Sequence, residues 1–186
     1  MHAFMRTLAV AGTLAILLAA GGRRETPVFA VMPTSLNNLS PEPDSRVDSA
    51  VIRLLTRSAQ ARLAECGYPV VGADSAAETT SQSPSYLFEH ADVAAAWGAA
   101  HRADWVLVGR LNRIGTWEAD WEIRVVSVSE RRAVDTRSIE LKGFATDSAL
   151  TARLAKRGAA WIVDQVTQSV AHATPAGAAN PRPCRA

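Results

Sequence analysis

Glu118, Asp120 and Glu122 come nearest to a catalytic set by type and spacing. In an extended segment alternate side chains share a face. Neighbours two apart then lie about 7 Å from one another, near the separation that inverting glycosidases use for an acid and a base. A solvated strand edge gives the same pattern, and Arg110, Arg113 and Arg124 are at hand as surface partners, so the set reads as a charge-paired face. His90 and His101 stand eleven residues apart, roughly 16 Å along a helix and too far to share one metal ion. Glu89 and Asp92 lack the ligand spacing with His90, and His172 falls in a last helical turn, where a cation suits the dipole. No serine sits in GxSxG or SxxK, and Gly109 is a lone glycine in Val108-Gly109-Arg110-Leu111, so the sequence offers neither a nucleophile elbow nor a phosphate-cradling loop. Cys66 follows Glu65 at a helix end whose dipole raises a thiol pKa. These readings predict no catalytic residue, no cofactor and no metal site, hence a protein that is not an enzyme.

The tryptophans are more informative. Trp97, Trp105 and Trp161 fit the core faces of their elements, whereas Trp117 and Trp121 open a strand among charged residues. Aromatic side chains beside Arg are favoured at interface hot spots. Trp117 and Trp121, with Arg110 and Arg113, are therefore the expected partner-binding surface, core packing of the two rings being the competing reading.

Positioning these residues requires one domain. The chain has 186 residues, 48% hydrophobic and 20% charged, which suffices for a core without staples. A net charge of +2 is too small for a nucleic-acid footprint. Arg6, the apolar run Leu8 to Ala20 and the small pair Gly21-Gly22 read as a signal peptide over residues 1–22, cleaved after Gly22. The run is shorter than the ~20 apolar residues that span a bilayer, and no Cys follows it for lipidation, so a periplasmic or secreted protein without a stable membrane anchor is expected. Retention of the segment as an anchor is the alternative. In such a compartment Cys66 and Cys184 could pair and tie the tail to the body, or remain as separate thiols.

Residues 23–172 read as a single α/β (α+β) domain and 173–186 as a disordered Pro/Ala-rich tail. Val28-Met32 is a buried strand, ended by Pro33 and followed by loop to about Arg46. A helix runs from Val47 to Gly67 with Asp44 or Ser45 as its cap, and Tyr68-Val71 is a second strand. Loop then leads to a helix over Leu87–His101 and to the strand Asp104-Leu111. Trp117–Val128 and Val134–Gly143 form a hairpin, its first strand carrying Trp117, Ala119, Trp121, Ile123 and Val125 on one face. A last helix from about Asp147 to Ala171 shows the stripe Leu150, Leu154, Trp161, Val166 and Val170. The order is βαβαβββα, a mixed five-stranded sheet with helices packed on it.

At Ala103-Asp104-Trp105-Val106-Leu107-Val108-Gly109, followed by the hairpin with Asp135 and Ile139-Glu140-Leu141-Lys142-Gly143, the chain resembles a family of uncharacterised periplasmic proteins known as a domain of unknown function. The resemblance covers roughly Val28 to Val166. It implies an α/β domain similar in element order to the N-terminal domain of the periplasmic Tol-system propeller protein. It also implies an accessory role, since some members are found beside quinoprotein alcohol dehydrogenases, and it offers no catalytic residues to carry over. The expected function is that of an exported accessory protein that binds another protein. A small-ligand binder using loops 33–46 and 72–85, at the carboxyl ends of the parallel strands, is the alternative.

Overall fold

The computed structural model describes residues 26–72, 82–143, 148–174 and Cys184. The chain runs β1 (Phe29–Val31), β2 (Ser35–Asn38), α1 (Arg46–Glu65), β3 (Val70–Gly72), α2 (Pro84–Glu89), α3 (Ala91–Ala100), β4 (Trp105–Arg113), β5 (Glu118–Ser127), β6 (Arg132–Lys142) and α4 (Ser148–Ala173). One mixed sheet has the order β3-β1-β4-β5-β6, with β2 also pairing to β4. β1 is parallel to β3 and β4, while β5 and β6 are antiparallel additions, as the sequence pattern requires.

The sheet has six strands, not five, because pairing resumes inside the expected 33–46 loop. Val31 faces Leu107 and Ser35 faces Arg110, so the β1–β2 side holds one residue more than β4 between these pairs. Pro33, which has no N–H to donate, lies in this bulge. Beside it the Thr34 N–H donates to Thr56 Oγ1 at 2.9 Å, which satisfies the backbone inside the protein.

α1 starts with a capping box in which the Ser45 side chain accepts from the Asp48 N–H and Asp48 accepts from the Ser45 N–H. It stops before Gly67, whose φ of +82° suits a glycine. The helix expected over Leu87–His101 is two helices, because His90 leaves helical backbone at φ −114°, ψ 81°. That break lets Leu87 and Phe88 of α2, and Ala94, Ala95 and Trp97 of α3, enter one core layer.

The sheet divides two apolar layers. α1 and α4 cover one face, over Phe29, Leu107, Leu111, Trp121, Ile123 and Val125. α2 and α3 cover part of the other, over Ala30, Val106, Val108 and Val126. The α4 stripe differs from the expected one. Thr151, Ala155, Gly158, Ala159, Ile162, Val163, Val166 and Val170 are buried, while Trp161 is 45% exposed. α4 lies close on the sheet at Gly158, where a Cβ would be in ordinary contact at 3.4 Å from Leu141 and 3.9 Å from Trp121. Gly109 of β4 is where space requires a glycine, since a Cβ would stand 2.6 Å from Thr34 Oγ1 and 3.2 Å from Trp121 Nε1.

Residues 1–22, expected to be the leader, lie outside the described residues, as does Asp147. Of the tail expected to be disordered, Cys184 is buried and disulfide-bonded to Cys66, with Cα atoms 5.5 Å apart at a sequence separation of 118. Its N–H donates to Thr167 Oγ1 at 3.2 Å. The chain is thus fixed to the ends of α1 and α4 at this position.

Candidate functional site

The two tryptophans and two arginines expected at a surface have four different environments. Trp121 is fully buried between β4, β6 and α4, so it is core and not an exposed anchor. Arg113 is 4% exposed. It faces inward because β4 alternates, placing Leu111 and Arg113 on the side of α1. Its Nη1 donates to Asp48 at 2.6 Å, its Nη2 to Ser40 Oγ and the carbonyls of Glu42 and Pro43, and its Nε to Asn38 and Ser40. Burial pushes the Asp48 carboxyl up, but hydrogen bonds from Arg113 and Ser45 and the guanidinium charge outweigh it and hold the group below its ordinary value. Arg113 is a clamp for the segment after β2. The part of the 33–46 loop that is not strand is held closed upon it.

Arg110 is half-buried on the opposite face. Its guanidinium lies 4.0 Å from the centre of the Phe88 ring, and Arg124 lies 4.3 Å from the same ring. Arg110 also pairs with Glu122 at 3.1 Å and with Glu89, binding α2 to the sheet. Both arginines are engaged by the fold.

Trp117 alone of the four is open, at 62% exposure. It precedes β5 at the tip of the β4–β5 hairpin, where Ile114 is 46% and Leu39 62% exposed. The backbone holds these three at one end of the sheet. The Leu39 N–H donates to the Arg113 carbonyl at 2.9 Å, the Ile114 N–H to Glu118 at 3.0 Å, and the Gly143 N–H to the Trp117 carbonyl at 2.6 Å. Thr116 Oγ1 donates to Glu42 at 2.7 Å, joining the tip to the clamped segment. Val47, 47% exposed, begins α1 beside the same segment. The result is an apolar end presented on fixed backbone, at the carboxyl ends of β2 and β4. The sequence reading missed Leu39 and Ile114. Their signal was that each lies just past the end of an alternating strand, where an apolar residue has no opposing layer to enter.

The remaining candidates are engaged or exposed. Glu118, Asp120 and Glu122 share a face as expected. The hydrogen bond with Glu140 pushes Glu118 up, and Lys142 holds Glu140 down, so Glu118 responds to the neighbouring strand. His90 stacks on Tyr86 and His101 on Trp97, each at 3.9 Å between centroids. Among the described residues Cys66, Asp164 and Cys184 converge with metal-ligand atom types, but both sulfurs are in the disulfide and Arg62 donates to Asp164 at 2.9 Å. Residues 73–81, part of the loop expected in the ligand alternative, lie outside the described residues. No described helix is long and apolar enough to cross a membrane.

A family model described as protein of unknown function (DUF2380) matches residues 27–166. No curated protein matches the chain. Among solved structures, the lipoprotein GNA1162 from Neisseria meningitidis is similar with a TM-score of 0.50 at 18% identity, covering 77% of this chain and 99% of that one. The PelC dodecamer from Paraburkholderia phytofirmans gives 0.49 at 15% identity, covering 75% and 86%. The LpoB C-terminal domain from Salmonella enterica gives 0.44 at 12% identity, covering 66% and 87%. The first of these likenesses supports the fold. The similarity found is to these proteins and not to the Tol-system propeller domain that the sequence resemblance suggested.

Proposed function

The chain belongs to the family of proteins of unknown function (DUF2380, DUF3280), and from that premise we propose that it is an exported, non-enzymatic accessory protein that binds another protein through its hairpin tip. The carrying observation is the exposed end formed by Leu39, Ile114 and Trp117 on a backbone clamped by Arg113. Covering large apolar side chains that water surrounds lowers the free energy, and rigid backbone reduces the entropy lost when they are covered. An exposed Trp among such neighbours is the composition of an interface centre. The partner face it fits is an apolar pocket with polar groups at its rim, suited to Glu42 and Thr116. A quinoprotein dehydrogenase as that partner rests on the family resemblance alone and gains nothing from the geometry.

The test is affinity capture from a native periplasmic extract by the wild-type protein and by the Ile114→Ala/Trp117→Ala variant. A partner retained at high salt by the wild type and lost by the folded variant supports the reading. Equal capture by both proteins contradicts it.

A further inference from the structure

The layer formed by α1 and α4 carries a charge distribution that the tip does not explain. The N-terminal ends of the two helices lie at the same end of the sheet: Asp48 of α1 meets Arg113, and the backbone of Gly143, which leads to α4, meets that of Trp117. Their later turns are joined by the Arg62–Asp164 ion pair and by Cys184, which is bonded to Cys66 and hydrogen-bonded to Thr167. The helices are therefore parallel neighbours on one sheet face, and their outer sides form one surface. Arg46, Arg53 and Arg57 of α1 and Arg153, Lys156 and Arg157 of α4 are all exposed on it. None of the six is in an ion pair among the described residues. The acidic groups of these helices are spent elsewhere, Asp48 on Arg113 and both Glu65 and Asp164 on Arg62. Trp161, one turn after Arg157, stands out of this surface at 45% exposure.

Six cations without ion-pair partners among the described residues make this side of a nearly neutral chain suited to an anionic partner, and the shape selects among such partners. Two helices side by side give a broad surface, and Trp161 projects from it at the level of the cationic side chains. Trp favours the headgroup zone of a bilayer, with its apolar body inward and its N–H in the polar layer, while Arg and Lys reach phosphates from flexible stems. We propose that the outer face of α1 and α4 docks on an anionic lipid bilayer. This contact is peripheral and electrostatic, and it is independent of the tip reading because no residue is shared. It also differs from retention of residues 1–22 as an anchor, since salt and charge substitutions act on the one and leave the other.

The test is co-sedimentation of the exported protein with vesicles of phosphatidylcholine containing about one-third phosphatidylglycerol, and with phosphatidylcholine alone. Binding is expected to the anionic vesicles only, and to fall at least about tenfold between low and high salt as the Debye length shrinks from about 10 Å to a few ångströms. The variant R53Q/R57Q/K156Q/R157Q should lose about tenfold or more, and Trp161→Phe should bind more tightly than Trp161→Ala. R131Q/R132Q, at the exposed β5–β6 turn, should bind as the wild type does. Circular dichroism of each variant confirms that it is folded. Equal loss in the control variant would reduce the effect to net charge and overturn the proposal. Retention by heparin but not by vesicles would assign the face to a soluble polyanion and overturn it as well.

Discussion

Trp117, just before β5, and Trp121 within it lie four residues apart, yet one is 62% exposed and the other fully buried. The difference is made by the layer above them. α4 lies over Trp121 at Gly158, and its first buried residue is Thr151. Beyond that, toward the hairpin tip, the sheet still has backbone pairing but, among the described residues, the apolar layer ends. Regular structure extends further than burial does, and the surplus is the apolar end formed by Leu39, Ile114 and Trp117. The covered part of β5 thus serves stability, and the tip before it is free to serve recognition.

Trp121→Ala breaks the comparison from the buried side. Removal of the ring leaves a cavity lined by Gly109, Leu141 and α4, with an expected loss of about 3 to 5 kcal/mol in chemical denaturation. Arg113→Met should lose a similar amount, about 3 to 5 kcal/mol, because it leaves the Asp48 carboxylate buried without its partner. The same pair predicts a pH dependence. Asp48 is held below the ordinary value of 3.8, so its contribution is complete above that value and disappears as pH falls through the native one. Thermal unfolding followed downward from about pH 5 should show a stability loss in the wild type that is shallower in Asp48→Asn, which starts from a lower Tm.

Severing the tether is next in size. Cys66→Ser/Cys184→Ser removes a crosslink spanning 118 residues, and equilibrium unfolding should show a loss of about 2 to 5 kcal/mol. The smallest effect on stability belongs to Trp117→Ala, expected within about 0.5 kcal/mol of the wild type by the same measurement. A loss comparable with that of Trp121→Ala would erase the distinction between the two ends of the strand.

Much of this was legible from patterning. The alternation through Trp117–Val125 correctly gave the two faces of β5, and the apolar runs at Val28 and Asp104 gave the buried strands. Less was legible where one local signal hid another. Pro33 and the Asn pair after it read as loop, because a bulge that lets pairing resume is a property of β4 as much as of this segment. Asp48 lies on the buried stripe of α1 three residues before Val51, and Arg113 continues the inward alternation of Leu111. Each charge looked like surface by type, and only their positions, 65 residues apart in sequence, indicated that they bury one another. Trp161 failed in the opposite sense: size suggested core, but the buried stripe of α4 runs through Gly158, Ile162 and Val166, and position 161 falls outside it. For the site, Trp117 and Trp121 were singled out together, and periodicity could not separate the exposed ring from the buried one, since both occupy the same face.

Site-specific photo-crosslinking in cells tests the division of the strand most directly. A photoreactive side chain at Trp117, with a second variant carrying it at the exposed turn residue Arg132, reports what covers each position. The account predicts one discrete protein adduct from position 117 and none from 132. No adduct at 117, or the same adducts from both positions, would contradict a recognition role for the tip.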